Sequence, residues 1–362
     1  MDEYSVVTVV STVGFVLGAA FGATAQRTNF CTMGAISDVV FMGDWSRFRS
    51  WMLAVAVAMV GSQALHLSGA VDLTESIYLS TNLGWAGAIV GGLMFGFGMT
   101  LASGCGNKTL VRLGAGNLKS LVVAVVLGIF AYMTLRGLTG LARVELEGAT
   151  NLDLEAMDAA SQAIPDILGA MGLPETGTRL AVIAVFAGGL LAFCFKGAEF
   201  RASPRDMAAG LIIGLLVPAG WYVTGVIGYD DFDPTPLGSF TFIAPVGEGL
   251  QYLMTFTGST INFGIAVVGG IIAGSFLMAK ATGQFRIETF TDPGDMIKHL
   301  IGGALMGTGG VLALGCTIGQ GVTGLSTLAV GSVIALISII TGAVVGLKYL
   351  EAGSFSAIFA GD

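Results

Sequence analysis

The sequence predicts an all-α polytopic membrane protein, with about nine transmembrane helices, short re-entrant helices and an inverted internal repeat. Three observations carry that prediction. Of 362 residues, 54% are hydrophobic and only 11% are charged, too few charges to cover a soluble domain of this size. Apolar stretches of about 20 residues, the length that crosses a hydrocarbon core, recur along the whole chain. Residues 91–105 repeat in residues 302–316 at a fixed offset of 211.

Charge-poor segments place the spans at about 5–26, 50–71, 83–104, 118–138, 179–196, 207–228, 258–279, 298–315 and 326–347. The first is read as a retained helix. Ala23-Thr24-Ala25 resembles a leader cleavage site, but Asp2 and Glu3 stand where a basic region would be and the apolar run is long. With the N-terminus outside, 13 of the 16 Lys and Arg residues fall on the inner side, leaving Arg136, Arg143 and Arg179 outside. Asp72, Glu75, the acidic stretch 145–175, Asp230, Asp231 and Asp233 all fall outside. This bias follows the positive-inside rule and fixes the expected orientation as N-out, C-in. The net charge of −8 includes no basic run that would suit nucleic acid. The one long extramembrane piece, 144–172, reads either as a short amphipathic helix on the outer face or as a solvated acidic connector.

Glycine, at 56 residues, needs two explanations. Isolated glycines fit close helix packing through small-xxx-small spacing. Clusters beside polar residues mark helix breaks, which lipid tolerates only against protein or a wet cavity. The repeat GGLMFGFGMTLASGC (91–105) and GGALMGTGGVLALGC (302–316) shares eight of fifteen positions, including the Leu-Ala-x-Gly-Cys ending. Five crossings separate the two segments, so they enter the membrane in opposite directions, as inverted repeats of secondary transporters do. The repeats are expected over approximately 5–140 and 205–347, with 144–178 as an outer-face insertion. The match is weaker near the start: Gly14 and Gly18 pair with Gly210 and Gly214, and nothing near Val226 answers to Cys31.

Three of the four cysteines share a setting: RTNFCTMG (27–34), SGCGNKT (103–109) and LGCTIGQG (314–321). In each, an apolar span gives way to a Gly-rich polar stretch, with Thr32, Asn107 or Thr317 as the expected N-cap of a short helix. Such a helix start presents free N–H groups and a positive dipole end, which suits an anion. Cys194, in AFCF, has no such company and reads as a small buried hydrophobe. Neutral thiols are weak S–H donors and polarizable contacts. A copper or zinc path would bring histidines or paired cysteines, whereas His66 and His299 lie far in sequence from the motifs. No CxxC pair, phosphate-binding loop, Ser-His-Asp set or intramembrane carboxylate pair is present; GCGNKT carries Asn107 where such a loop needs glycine. No cofactor is expected.

The motifs RTNFCTMGAISD, GFGMTLASGCGNKTLVRLGAGNLKSLV and LGCTIGQGVTGLSTLAVGSVIAL together resemble the YeeE/YedE family of bacterial inner-membrane sulfur transporters. The likeness covers about residues 10–347, and the acidic stretch 144–178 stands outside the family pattern. The resemblance implies uptake of thiosulfate or a related sulfur anion, with no enzymatic step. The family's three functional cysteines fall on Cys31, Cys105 and Cys316, which would pass the anion along by S–H···S contacts without covalent chemistry. Gly104, Gly315, Thr32, Asn107, Thr317, Gln320 and Lys108 complete the expected pathway; Lys108 either binds substrate or anchors a helix end. The resemblance also implies a separate sulfur-carrier protein of the TusA type as a partner, since the sequence ends at Asp362 with no such domain. A membrane thiol–disulfide oxidoreductase and a selenium-compound or metal-ion transporter are the alternatives. A dianion entering against 100 mV faces about 4–5 kcal/mol, since each charge costs ~2.3 kcal/mol. Without an ATPase motif, a passive or consumption-driven route is expected.

Overall fold

The computed structural model describes residues 3–230 and 235–354; Asp2, Asp231 and Asp233, three of the acidic residues weighed above, lie outside the described residues. Within them the chain is almost wholly helical. It begins with α1 (Glu3–Thr28), α2 (Thr32–Met42), α3 (Ser46–Leu67), α4 (Trp85–Leu101), α5 (Gly106–Gly114) and α6 (Leu118–Arg136). A connecting region holds α7 (Leu138–Thr150) and α8 (Ile164–Ala170), followed by α9 (Glu175–Lys196), α10 (Ala198–Arg201) and α11 (Pro204–Tyr222). The chain closes with α12 (Ile243–Met254), α13 (Phe263–Ala281), α14 (Pro293–Leu312) and α15 (Val330–Ala352). Two short strands, β1 (Asn82–Leu83) and β2 (Leu152–Asp153), pair antiparallel.

Eight helical stretches among the described residues are long and apolar enough to cross a membrane, against nine expected. The difference is the span at 298–315, which is α14. Asp295, Lys298 and His299 occupy its first two turns and five glycines its body, so its hydropathy falls below that of its neighbours although it is 20 residues long. Two stretches run through a cysteine turn, Val6–Met42 and Trp85–Gly114, so each joins a long helix to a short one.

With lipid outside the bundle, helix association rests on van der Waals contact, which small residues increase by letting backbones approach. Glycines do this along every main seam. On α1 and α13, Gly18 and Gly22 face Val267 and Ile271, while Gly270 and Gly274 face Phe15 and Ala19, so the pair runs parallel. Helices α3 and α11 also run parallel, through Gly210 on Ser50 and Gly214 on Ala54. The same holds for α4 and α15, where Gly92 meets Ala335 and Gly96 meets Ile339, and for α6 and α14, where Gly303 meets Val123 and Gly307 meets Leu127. Helices α4 and α14 cross antiparallel: Gly91 lies on Gly309 and Gly98 on Gly302. That last contact is reciprocal, because Gly91 matches Gly302 and Gly98 matches Gly309 at the offset of 211.

The stretch beyond α6 is neither a free connector nor a single surface helix. Helix α7 begins at Leu138, earlier than the sequence indicated, and the chain then packs down as a strap. Strand β2 pairs with β1, and Ala163 forms an antiparallel bridge with Ala329 just before α15. Asp166 and Arg179 make an ion pair of 2.6 Å with both side chains about 5% exposed. Only a partner of opposite charge makes burial of either group tolerable, so the acidic composition that reads as solvated is in part a buried fastening.

A Cβ on Gly96 would collide with the Ile339 carbonyl, whereas one on Gly188 of α9 would meet nothing. Gly96→Ala is therefore expected to destabilise the folded protein by about 1–3 kcal/mol, the usual cost of overpacking, and Gly188→Ala to leave it unchanged. Thermal melting in detergent micelles measures both.

Candidate functional site: three cysteine turns at the centre of the bundle

Each of the three cysteine motifs folds into the same kind of turn. A left-handed, non-glycine residue stands two positions before each thiol: Asn29 (φ 57°), Ser103 (φ 56°) and Leu314 (φ 57°). That conformation ends the preceding helix and turns the chain, at a cost that surrounding structure must offset. After Ser103 and Leu314 the helix ends are closed identically: Gly104 N–H donates to Met99 O (2.9 Å) and Gly315 N–H to Gly310 O (2.7 Å), the longer bond of a Schellman motif.

The cysteines then occupy the positions expected for the threonines and asparagine. Cys31 is the N-cap of α2, its sulfur accepting from Gly34 N–H at 3.5 Å, and Cys105 is the N-cap of α5. Thr32 is already the first residue of α2, and Asn107 the second of α5. Cys316 precedes a π-helical turn, Gly319–Gly324, and its sulfur accepts from Gly319 N–H at 3.4 Å. The polar residue one or two places later is too deep in the turn to reach back to the exposed N–H groups; at the first and third turns sulfur fills that role.

Freed from capping, the neighbouring polar groups are left over. Thr32 Oγ1, Asn107 Nδ2 and Thr317 Oγ1 are buried and have no hydrogen-bond partner among the described residues. Buried polar groups are nearly always satisfied, and of the seven such groups left without a partner among the described residues, three stand beside the three thiols. Asn107 Oδ1 does have a partner, the Cys105 S–H at 2.6 Å.

The turns converge. Cys31 Sγ lies 3.8 Å from Cys105 Sγ, and a Cβ on Gly106 would come within 4.0 Å of Cys316 Cβ. All three thiols belong to one buried cluster and are at most 6% exposed. Cys194 lies in a different cluster with Leu53 and Phe200, its S–H donating to Arg49 O at 3.2 Å, as a buried structural thiol would. Of the other expected residues, Gln320 is near but committed: its Nε2 donates to Ala313 O and its Oε1 accepts from Ser332 Oγ, both at 2.5 Å. Lys108 donates to Asn29 Oδ1 at 3.1 Å, tying the second cysteine turn to the first.

Sequence reasoning missed Tyr78, Thr241 and Phe242. The Tyr78 hydroxyl and Thr241 Oγ1 crowd Gly319 beside Cys316, and Phe242 is the N-cap of α12 in the same cluster. Phe242 occupies the place that a cysteine holds at the other short helices. Only the aromatic run SFTF (239–242) hints at it.

The ends of the site differ. Beyond Cys31, a polar vestibule of about 330 Å³ is lined by Lys108, Arg112, Lys119 and Arg286 together with Glu288 and Asp295. Lys119 is paired with Asp295 (2.7 Å) and Glu288 with Asn117, while Lys108 and Arg112 bond only to neutral oxygens. Arg47, on the far flank of Cys31, pairs with buried Asp38. The vestibule therefore carries an uncompensated positive charge next to a neutral, thiol-lined centre, an arrangement that draws anions.

The family described as Sulphur transport matches residues 27–345, which include all three cysteine turns. The thiosulfate transporter TsuA of Escherichia coli strain K12 is 28% identical over 319 residues, covering 85% of this chain and 86% of that protein. The thiosulfate transporter TsuA of Spirochaeta thermophila is also 28% identical, over 321 residues, covering 88% and 92%.

The orphaned hydroxyl of Thr32 gives a test of whether the site is kept for a ligand. Thr32→Val removes a buried unsatisfied group at nearly constant shape, so it is expected to stabilise the protein by about 1 kcal/mol or more. Anion uptake is expected to fall in the same variant. Melting temperature and transport rate, measured on one preparation, check the pair of effects.

Proposed function

Because this chain belongs to the Sulphur transport family, we propose that it imports thiosulfate or a closely related sulfur anion across the bacterial inner membrane. It is a multi-pass membrane transporter and not an enzyme. The finer reading rests on one observation: three buried cysteines on three separate turns share one cluster, with Cys31 and Cys105 in S···S contact at 3.8 Å and a polar group without a hydrogen-bond partner among the described residues on each turn.

The two chemistries match a two-faced substrate. Thiosulfate carries a soft terminal sulfur and three oxygens on one dianion. Thiols offer S–H donors and polarizable surface to the sulfur, while Thr32, Asn107 and Thr317 offer donors to the oxygens. Protonated thiols repel no anion, and no bond needs to form or break. The order of contacts is Cys316, then Cys105, then Cys31, and the anion leaves beside Lys108 and Arg112. The Lys and Arg bias supports assigning that vestibule to the cytoplasmic side, with the N-terminus outside. The positive vestibule lowers the electrostatic cost of moving a dianion towards a negative interior.

The two halves, approximately 5–140 and 205–347, act as an inverted pair. Reciprocal Gly91–Gly309 and Gly98–Gly302 contacts support this, since a two-fold relation puts residue i on j and j on i. The segment 144–178 is an addition to that core. A TusA-like carrier protein would collect the anion as a separate partner, and consumption inside would draw uptake inward. The spacing of Cys31 and Cys105 keeps a thiol–disulfide oxidoreductase as a second reading.

Cells lacking other thiosulfate uptake and expressing this protein should grow on thiosulfate as sole sulfur source. Cys105→Ala and Cys316→Ala are each expected to reduce uptake of ³⁵S-thiosulfate at least tenfold at equal expression, and Cys194→Ala to leave it unchanged. Uptake that survives both substitutions would rule out the thiol path. Reversible formation of a Cys31–Cys105 disulfide during turnover, read by mass spectrometry, would favour the oxidoreductase.

A further inference from the structure

We infer that Gln162, carried on the strap between α6 and α9, guards the outer mouth of the path, and that the strap must lift before an anion reaches Cys316; this rests on the path proposed above. The spaces at the two ends of α4 are unlike. The vestibule beyond its cysteine end measures about 330 Å³. At the Trp85 end, the chamber between Tyr78, Gln162, Leu314, Gln320 and Ser332 measures about 20 Å³. That volume holds about one water and no tetrahedral sulfur oxyanion. Of these two spaces, the one beyond the cysteine end would admit such an anion and the one at the Trp85 end would not.

Gln320 and Tyr78 stand between this chamber and the thiol. Gln320 N–H donates to Cys316 O at 2.8 Å, and the Tyr78 hydroxyl faces Gly319. Two amides line the chamber, Gln320 and Gln162, and they are held unequally. Gln320 is held at both ends of its amide, by Ala313 O and Ser332 Oγ. Among the described residues Gln162 has one side-chain bond, Oε1 accepting from Gly331 N–H at 3.2 Å, and it sits on the strap.

Apart from its pairing with β1 and the packing of Leu154, Ala159 and Ile167 on Leu83, the strap is fastened around the turn before α15. Val330 N–H donates to Gln162 O and Ile164 N–H to Leu328 O, both at 3.0 Å, which clips the strap to the residues just before α15. Asp166 holds Arg179, whose guanidinium reaches Gln63 Oε1 at 3.5 Å. Gln63 Nε2 then donates to Ser326 O at 2.9 Å, at the end of the π-helical turn that starts beyond Cys316. Mouth and latch therefore act on the two sides of one short segment, 317–330. Releasing the clip frees Gln162 and unloads the Cys316 turn together.

Two experiments test this. In right-side-out vesicles, Gln162→Ala should speed modification of Cys316 by the anionic, membrane-impermeant reagent methanethiosulfonate ethylsulfonate about tenfold, mapped by mass spectrometry. An unchanged rate overturns the assignment of Gln162, whether or not thiosulfate is the cargo. Second, Ala163 and Ala329 face each other across the bridge, so Ala163→Cys with Ala329→Cys can be stapled and released by redox treatment. The reduced double variant should take up ³⁵S-thiosulfate at the wild-type rate. Relative to wild type treated alike, oxidation should cut uptake at least fivefold and reductant should restore it. A stapled protein that transports as fast as its reduced form overturns the lifting strap. Absence of thiosulfate uptake from every form, wild type included, overturns the functional reading instead and leaves the modification rate to decide the gate.

Discussion

A helix that breaks inside a bilayer exposes N–H and C=O groups that hydrocarbon cannot satisfy, and this chain breaks repeatedly. The turns at Asn29–Cys31, Ser103–Cys105 and Leu314–Cys316, and the start of α12 at Phe242, must all be walled off from lipid. Collecting them at one place and surrounding them with unbroken helices meets that demand. The glycine seams of α1 on α13, α4 on α15 and α6 on α14 make the wall thin enough for the turns to touch. Cys31 and Cys105 come within 4 Å at this meeting place, and the sulfurs of Cys31 and Cys316 accept from N–H groups that the breaks leave free.

Legibility in the sequence follows the range of the interactions. Spans are read from local apolar length, and the cysteine turns from a local contrast between apolar run and Gly-rich polar stretch. Hydropathy reads α14 less well, because its glycines and polar first turns dilute a helix whose job is packing. By analogy with soluble helices, where oxygen outcompetes sulfur, the sequence points to Thr32, Asn107 and Thr317 as caps. The turn geometry instead leaves those oxygens and nitrogens facing inward. Tyr78, Phe242 and Gln162 reach the site from distant segments through tertiary contacts, and no local pattern encodes that. The acidic strap misled for the same reason, since Asp166 is paired with a residue 13 positions away whose burial depends on the finished fold.

A neutral centre with a charged vestibule suits passage better than storage. Deep cationic partners would bind a dianion tightly and release it slowly; conduction needs contacts good enough to admit an ion and weak enough to let it leave. Thiols and lone hydroxyls are contacts of that strength. On the proposed path the fixed positive charges stand where the anion would meet water again, and there the solvent screens them.

The seam between α4 and α14 has a mechanical side. Where Gly91 lies on Gly309 and Gly98 on Gly302, backbone rests on backbone. Ordinary helix packing meshes ridges into grooves, and sliding one helix past another then forces side chains through new rotamers. A glycine track has no teeth to disengage. The two rods that carry Cys105 and Cys316 meet on these backbone contacts, flanked by Met94, Leu305 and Leu312, so a small shear along them disturbs fewer side chains than a ridge-in-groove seam would.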